Sequence, residues 1–92
     1  ATATGGDSAL LRISGPAAIV IAERAGLAPA PAWTIAAHDW SLAGGHCPCR
    51  VLLAPTPRSF TGFDLIEITL PGSPDLIALA LAALHDAGAQ PA

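Results

Sequence analysis

The sequence contains no lysine and no methionine, and it has few charges of either sign. Only 12% of its residues are charged, and four basic residues face seven acidic ones, which gives a net charge of −3. A basic stripe that could neutralise a phosphate backbone is therefore missing, and we expect no direct nucleic-acid binding by these residues. Because position 1 is not methionine, we expect a chain processed or cut from a longer protein.

Long hydrophobic runs are also missing. The longest uncharged apolar run, Leu76 to Leu84, is about half of the roughly 20 residues needed to cross a bilayer. No charged segment precedes a hydrophobic stretch in the way a signal peptide requires. The run predicts a core or interface helix and no membrane partner.

The 92 residues are enough for one small domain spanning 1–92. At this length a single modest core is available. The apolar fraction of 52% argues against disorder, and nine glycines with nine prolines indicate short elements joined by turns. We therefore predict a folded domain rather than a multidomain enzyme.

Periodicity and turn residues predict six elements. Four are strands: Ser8 to Ser14, Trp33 to Leu42 with a turn near Asp39, Cys49 to Ala54, and Asp64 to Leu70. Two are helices: one from Gly15-Pro16 to a stop at Gly26, and one capped by Ser73 and running to Ala87. A hairpin turn is predicted at Gly44-Gly45. The β-α-β-β-β-α order predicts an α+β fold, with a mixed sheet carrying two helices on one face. The under-covered sheet and the wide apolar helix also predict a dimer or a neighbouring domain.

Glu67 lies in an apolar strand and needs an explanation. An unpaired buried carboxylate is costly, and strand alternation puts Glu67 on one face with Leu65 and Thr69. Arg12, in the first strand, could pair with it across the sheet. A cross-strand ion pair and a ligand site both explain the acid, and an apo structure could contain the ion pair that a ligand later displaces.

The segment His46-Cys47-Pro48-Cys49 suggests a metal or redox site. A zinc ion takes four ligands, so His38 or His85 would have to converge on the two thiols. The alternative is that both cysteines are small apolar side chains at the start of a strand. We favour that alternative and predict no metal ligands.

Three stretches resemble one family. They are LLRISGPAAIVIAE, PRSFTGFDLIEI and HDAGA, and in order and spacing they resemble the N-terminal domain of the tRNA-modification GTPase TrmE, also called MnmE. The family's first strand ends in a similar RISG segment. A later turn of SYTGED type precedes a strand containing VEI or LEL.

The resemblance implies a dimerising domain that binds 5-formyltetrahydrofolate or a related one-carbon folate, similar in fold to the folate-binding part of the glycine-cleavage T-protein. It also implies GTPase and helical domains in a parent chain, an MnmG-like flavoprotein partner, wobble-uridine modification and a cytoplasmic location. No G-x-x-x-x-G-K-[ST] phosphate loop occurs in these residues, so we expect the domain to be non-catalytic by itself.

By position, the resemblance assigns folate contacts to Arg12 and Glu67. A carboxylate offers two acceptor oxygens to the amino group and ring N–H of a pterin. Thr61-Gly62 is also consistent with an ordinary turn. Because the glycine-rich opening is shortened (Thr4 to Leu10) and Phe63 replaces an acid, the alternative is a degenerate module that keeps the fold and the dimer contact without folate.

Overall fold

The computed structural model describes residues 2–4, 8–27, 33–43, 45–54 and 64–90. In chain order the elements are β1 (Thr2–Thr4), β2 (Ser8–Ser14), α1 (Ala18–Arg24), β3 (Ile35–Leu42), β4 (Gly45–Ala54), β5 (Leu65–Pro71) and α2 (Pro74–Asp86). The predicted α+β composition is confirmed. None of the helices in these ranges combines the length and apolar character needed to span a membrane.

The strands form one five-stranded sheet in the order β1-β2-β5-β4-β3. Every described strand pair is antiparallel, so the prediction of a mixed sheet was wrong. The short strand β1 was not predicted, because three residues carry no readable periodicity. The first predicted strand has the bounds expected, and its pairing with β5 places Arg12 opposite Glu67.

One face of the sheet carries the core. Its buried side chains are Ala9, Leu11 and Ile13 in β2, Trp40 and Leu42 in β3, Cys47, Cys49 and Val51 in β4, and Ile66, Ile68 and Leu70 in β5. Ala18 and Ala22 of α1 and Ala80 and Leu84 of α2 belong to the same buried cluster, which agrees with two helices on one face. The strand residues between the buried ones form the opposite face, called here the open face.

The helix ends follow local chemistry. The Ser73 hydroxyl accepts a hydrogen bond from Leu76 N at 3.4 Å, and Pro74 occupies the first turn, as predicted. Gly88, with φ of 117°, terminates α2 in a conformation that suits glycine. The first helix was predicted to start too early: α1 begins at Ala18, because Ala17 offers no side-chain cap and the preceding residues form a turn.

The β3–β4 hairpin corrects two further predictions. Asp39 lies inside β3 and pairs with Pro48, so the turn predicted near Asp39 was wrong. β4 begins at Gly45 rather than Cys49, with Pro48 inside the strand. Among the described residues, β4 pairs with β5 only from Arg50 onward, so the missing N–H of Pro48 interrupts no ladder on that side.

Two side-chain ring nitrogens from β3 form hydrogen bonds with backbone carbonyls at the end of α1. Trp40, which is fully buried, donates its Nε1–H to the carbonyl of Ala25 at 2.8 Å. Beside it, His38 Nε2 lies 3.2 Å from the carbonyl of Gly26. Helix carbonyls left over at a C-terminus need donors, and here they obtain them from the sheet.

Candidate functional site

Arg12 and Glu67 meet on the open face. Arg12 Nε lies 3.7 Å from Glu67 Oε1, and the two side chains are 56% and 24% exposed. This separation is longer than a charge-assisted hydrogen bond of about 2.7–2.9 Å. The pairing is therefore loose, and a half-exposed pair of this kind contributes at most about 1 kcal/mol. A ligand could take the place of Arg12 at low cost.

Beside Glu67 lies a hollow of about 160 Å³. It is lined by Ile35, Arg50, Leu52, Glu67 and Thr69, which come from three adjacent strands. The register explains their meeting, because Glu67 pairs with Leu52, and Leu52 pairs with Ile35. The hollow thus presents a carboxylate, a guanidinium and apolar walls to solvent.

A second hollow of about 510 Å³ adjoins the first and shares Arg50 and Thr69 with it. Arg50 was not singled out from the sequence, although it has the same signal as Glu67: a charge within an apolar strand. It is exposed and pairs with Thr69 in the sheet. Within the described residues, Arg50 forms no ion pair.

The cysteines lie on the opposite, core-bearing face. Burial raises the pKa of Cys47, and burial together with the Cys47 and Asp39 charges raises the pKa of Cys49 to about 11. The His46 side chain is directed to Asp39 instead, and its Nδ1 lies 3.3 Å from the carboxylate Oδ2. The described part of the chain holds no group of three metal-ligating side chains. This arrangement favours the interpretation of both thiols as protonated core groups.

Some predicted features lie outside the described residues. These are the Thr61-Gly62 turn, Phe63, Gly44 of the predicted hairpin turn and residues 5–7 of the shortened opening between Thr4 and Leu10. Asp64, which follows the turn, is described, and its carbonyl accepts a hydrogen bond from Gly15 N at 3.1 Å. The end of the predicted turn is thereby tied to the end of β2.

The fold and the site define a class: a small α+β domain with two helices on one face of an antiparallel sheet and a polar hollow on the other. The family model described as "GTP-binding protein TrmE N-terminus" matches residues 1–92. The chain belongs to this family of TrmE N-terminal domains. The resemblance of the three sequence stretches is thereby confirmed.

The relatives are tRNA modification GTPases named MnmE. The chain is 38% identical over 89 residues to the protein of Alkalilimnicola ehrlichii, covering 95% of this chain and 20% of the relative. It is 40% identical over 90 residues to that of Halorhodospira halophila, with coverage of 95% and 19%. For Saccharophagus degradans the values are 38% over 96 residues, 98% and 20%. The chain thus spans about a fifth of the length of these relatives.

Proposed function

We propose that this domain binds a one-carbon derivative of tetrahydrofolate, with 5-formyltetrahydrofolate as the expected ligand, and dimerises as a module of a tRNA modification GTPase. The observation that carries the proposal is the Glu67 carboxylate, which is 24% exposed and borders the 160 Å³ hollow. Family membership supports the assignment. The GTPase and helical domains, an MnmG-like partner, wobble-uridine modification and a cytoplasmic location are parts of the same proposal.

Glu67 suits the pterin end of such a ligand. The exocyclic amino group and the neighbouring ring N–H are parallel donors, and an ionised carboxylate accepts both. Leu52 and Ile35 beside it offer apolar surface to the ring. Arg12, only loosely held by Glu67, is available to bind a carbonyl oxygen of the same ligand.

The test is calorimetric titration of the chain with 5-formyltetrahydrofolate. Glu67→Gln keeps the shape of the side chain but removes its charge and one acceptor. We expect it to weaken binding by about 10–100-fold, which is the effect of losing a charged hydrogen-bonding partner. Glu23→Gln, on the exposed surface of α1, is the matched control and should bind like the unchanged chain.

The outcomes separate the two hypotheses left open by the sequence. Absence of binding by the unchanged chain would remove the folate proposal and leave the degenerate module. Equal binding by the unchanged chain and Glu67→Gln would show that Glu67 does not bind the ligand, and the proposed site on the open face would then be wrong. Circular dichroism of each variant verifies that the fold is intact.

The larger assembly has its own test. The reading frame downstream of residue 92 should encode a G-x-x-x-x-G-K-[ST] phosphate loop followed by the rest of a GTPase domain. A stop codon there would contradict the assignment to a GTPase and favour the degenerate module.

A further inference from the structure

The two hollows on the open face adjoin through shared lining residues and are together called the groove. The smaller contains Glu67, the larger contains Pro48 and Pro71, and both are bordered by Arg50 and Thr69. Because Arg50 and Thr69 are register partners, the shared boundary is a single cross-strand pair. A ligand held at Glu67 can therefore continue over this pair into the larger hollow.

The groove follows β5 from Glu67 towards Pro71. These residues are four positions apart, which corresponds to about 13 Å at the usual rise of a strand. Side chains at Glu67, Thr69 and Pro71 lie on the same face. The groove therefore suits an elongated ligand rather than a compact one.

The chemistry changes along the groove. Around Glu67 the walls offer an acceptor for donor-rich rings, whereas the larger hollow is lined mainly by apolar or neutral groups, including Ala37, Pro48 and Pro71. Arg50 is the only charged residue among the described lining residues of that larger hollow. Such a surface suits an aromatic ring that carries a carbonyl or carboxylate within reach of a guanidinium.

We infer that Arg50 is a specificity-determining residue that binds the benzoylglutamate arm of a folate whose pterin end is held at Glu67. The inference rests on the proposed function and extends it. Arg12 is less suited to this task, because it lies on β2, on the other side of Glu67 from Arg50, and is not among the described lining residues of either hollow. Arg50 and Glu67 border the same hollow without forming an ion pair, and no other acid in the described part of the chain pairs with Arg50, so its donors are left for a ligand.

The experiment compares two ligands on three proteins. The ligands are 5-formyltetrahydrofolate and 5-formyl-6-methyltetrahydropterin, which lacks the benzoylglutamate arm. The proteins are the unchanged chain, Arg50→Gln, and the control Arg24→Gln, whose side chain is exposed at the end of α1. Dissociation constants are measured by calorimetry, and circular dichroism verifies the fold of each variant.

We expect Arg50→Gln to weaken binding of 5-formyltetrahydrofolate by about tenfold, which corresponds to one charge-assisted hydrogen bond. Binding of the tail-less pterin should be unchanged, and Arg24→Gln should bind both ligands normally. Equal affinity of Arg50→Gln and the unchanged chain for the folate would overturn the inference while the proposed function stands. Equal weakening for both ligands would overturn it too, because Arg50 would then act on the pterin end or on the fold. If the unchanged chain binds neither ligand, the proposed function itself fails.

Discussion

At the scale of single residues, the two cysteines show how burial controls reactivity. Both thiols belong to the buried face of β4. Because the thiolate is the reactive form, a raised pKa keeps such groups inert at neutral pH. The same shift connects the thiol of Cys49 to folding stability at alkaline pH.

We predict that the free energy of unfolding falls as the pH rises from 9 to about 11. In the unfolded chain Cys49 loses its proton near its ordinary pKa of 9.0, whereas in the folded chain the pKa is about 11. Between these values the folded state binds more protons, so stability is full below pH 9 and decreases as the pH rises. Urea denaturation across this range measures the slope.

Cys49→Ala is the control for that slope. The variant should be less stable at neutral pH because a buried side chain is shortened, but its stability should decrease less steeply above pH 9. Identical slopes for the two proteins would show that Cys49 does not contribute to the alkaline transition.

Glu67 could be predicted as a site residue from the sequence, but the hollow beside it could not. A charge in an apolar strand is a signal that can be read directly, and the same signal at Arg50 could have been used. The hollow between them depends on β3 pairing with β4 and on β4 pairing with β5 in one register. Pairings between distant segments are set by the whole sheet, so spacing along the chain could not supply them.

At the scale of elements, the contact between β3 and the end of α1 includes a hydrogen bond from a buried indole. Trp40 is fully buried, and its Nε1–H satisfies a carbonyl at the end of α1. Trp33 is 45% exposed, so a substitution there can serve as a control for the same substitution at Trp40. The two tryptophans therefore differ in burial while sharing chemistry.

We predict that Trp40→Phe lowers the free energy of unfolding by about 2 kcal/mol. The substitution leaves the Ala25 carbonyl without the indole donor and removes buried volume. Trp33→Phe, the same substitution at an exposed site, should cost less than about 0.5 kcal/mol. Urea denaturation followed by circular dichroism measures both values, and equal losses would argue against a special role for Trp40.

A second prediction concerns the start of α2. Ser73→Ala removes the hydroxyl that accepts from Leu76 N and should cost about 1 kcal/mol of unfolding free energy. Ser73→Asp keeps a capping oxygen and adds a charge that favours a helix N-terminus, so it should retain the original stability. Thermal unfolding of the three proteins tests the order, and a loss as large in Ser73→Asp as in Ser73→Ala would contradict it.

The elements that sequence predicted well are those with local signals. α2 carries its own cap, proline and terminal glycine, so its bounds followed from the chain alone. The interior of β3 did not, because an aspartate disfavours a strand locally while pairing with β4 and the burial of Trp40 maintain one. Tertiary contacts, rather than local sequence preference, therefore determine that β3 continues through this aspartate.

At the scale of the whole molecule, two of the large exposed apolar side chains lie on opposite sides of the sheet. Among the described residues, Ile35 is 65% exposed and borders the groove of the open face, whereas Val20 is 48% exposed on α1. Since the proposed function includes dimerisation, and β3 forms an edge of the sheet, we predict that Ile35, which borders the proposed ligand hollow, also contributes to the dimer contact.

We predict that the chain sediments as a dimer and that Ile35→Ser weakens the dimer by about tenfold, through the loss of apolar area buried between copies. Val20→Ser is the matched control and should leave the dimerisation constant unchanged. Sedimentation equilibrium at several concentrations measures all three proteins. A monomer at every concentration would contradict the dimer. If only Val20→Ser weakened the dimer, the contact would lie on the helical face of the sheet instead.

The strand order also governs how the molecule assembles during synthesis on a ribosome. β3 and β4 are neighbours in both chain and sheet, so this hairpin can close soon after it emerges. β2 emerges earlier but lies next to β5, so its central partner arrives only after the hairpin has been made. Until then the apolar residues of β2 remain exposed in the nascent chain, and the completion of the sheet is limited by a contact between distant segments.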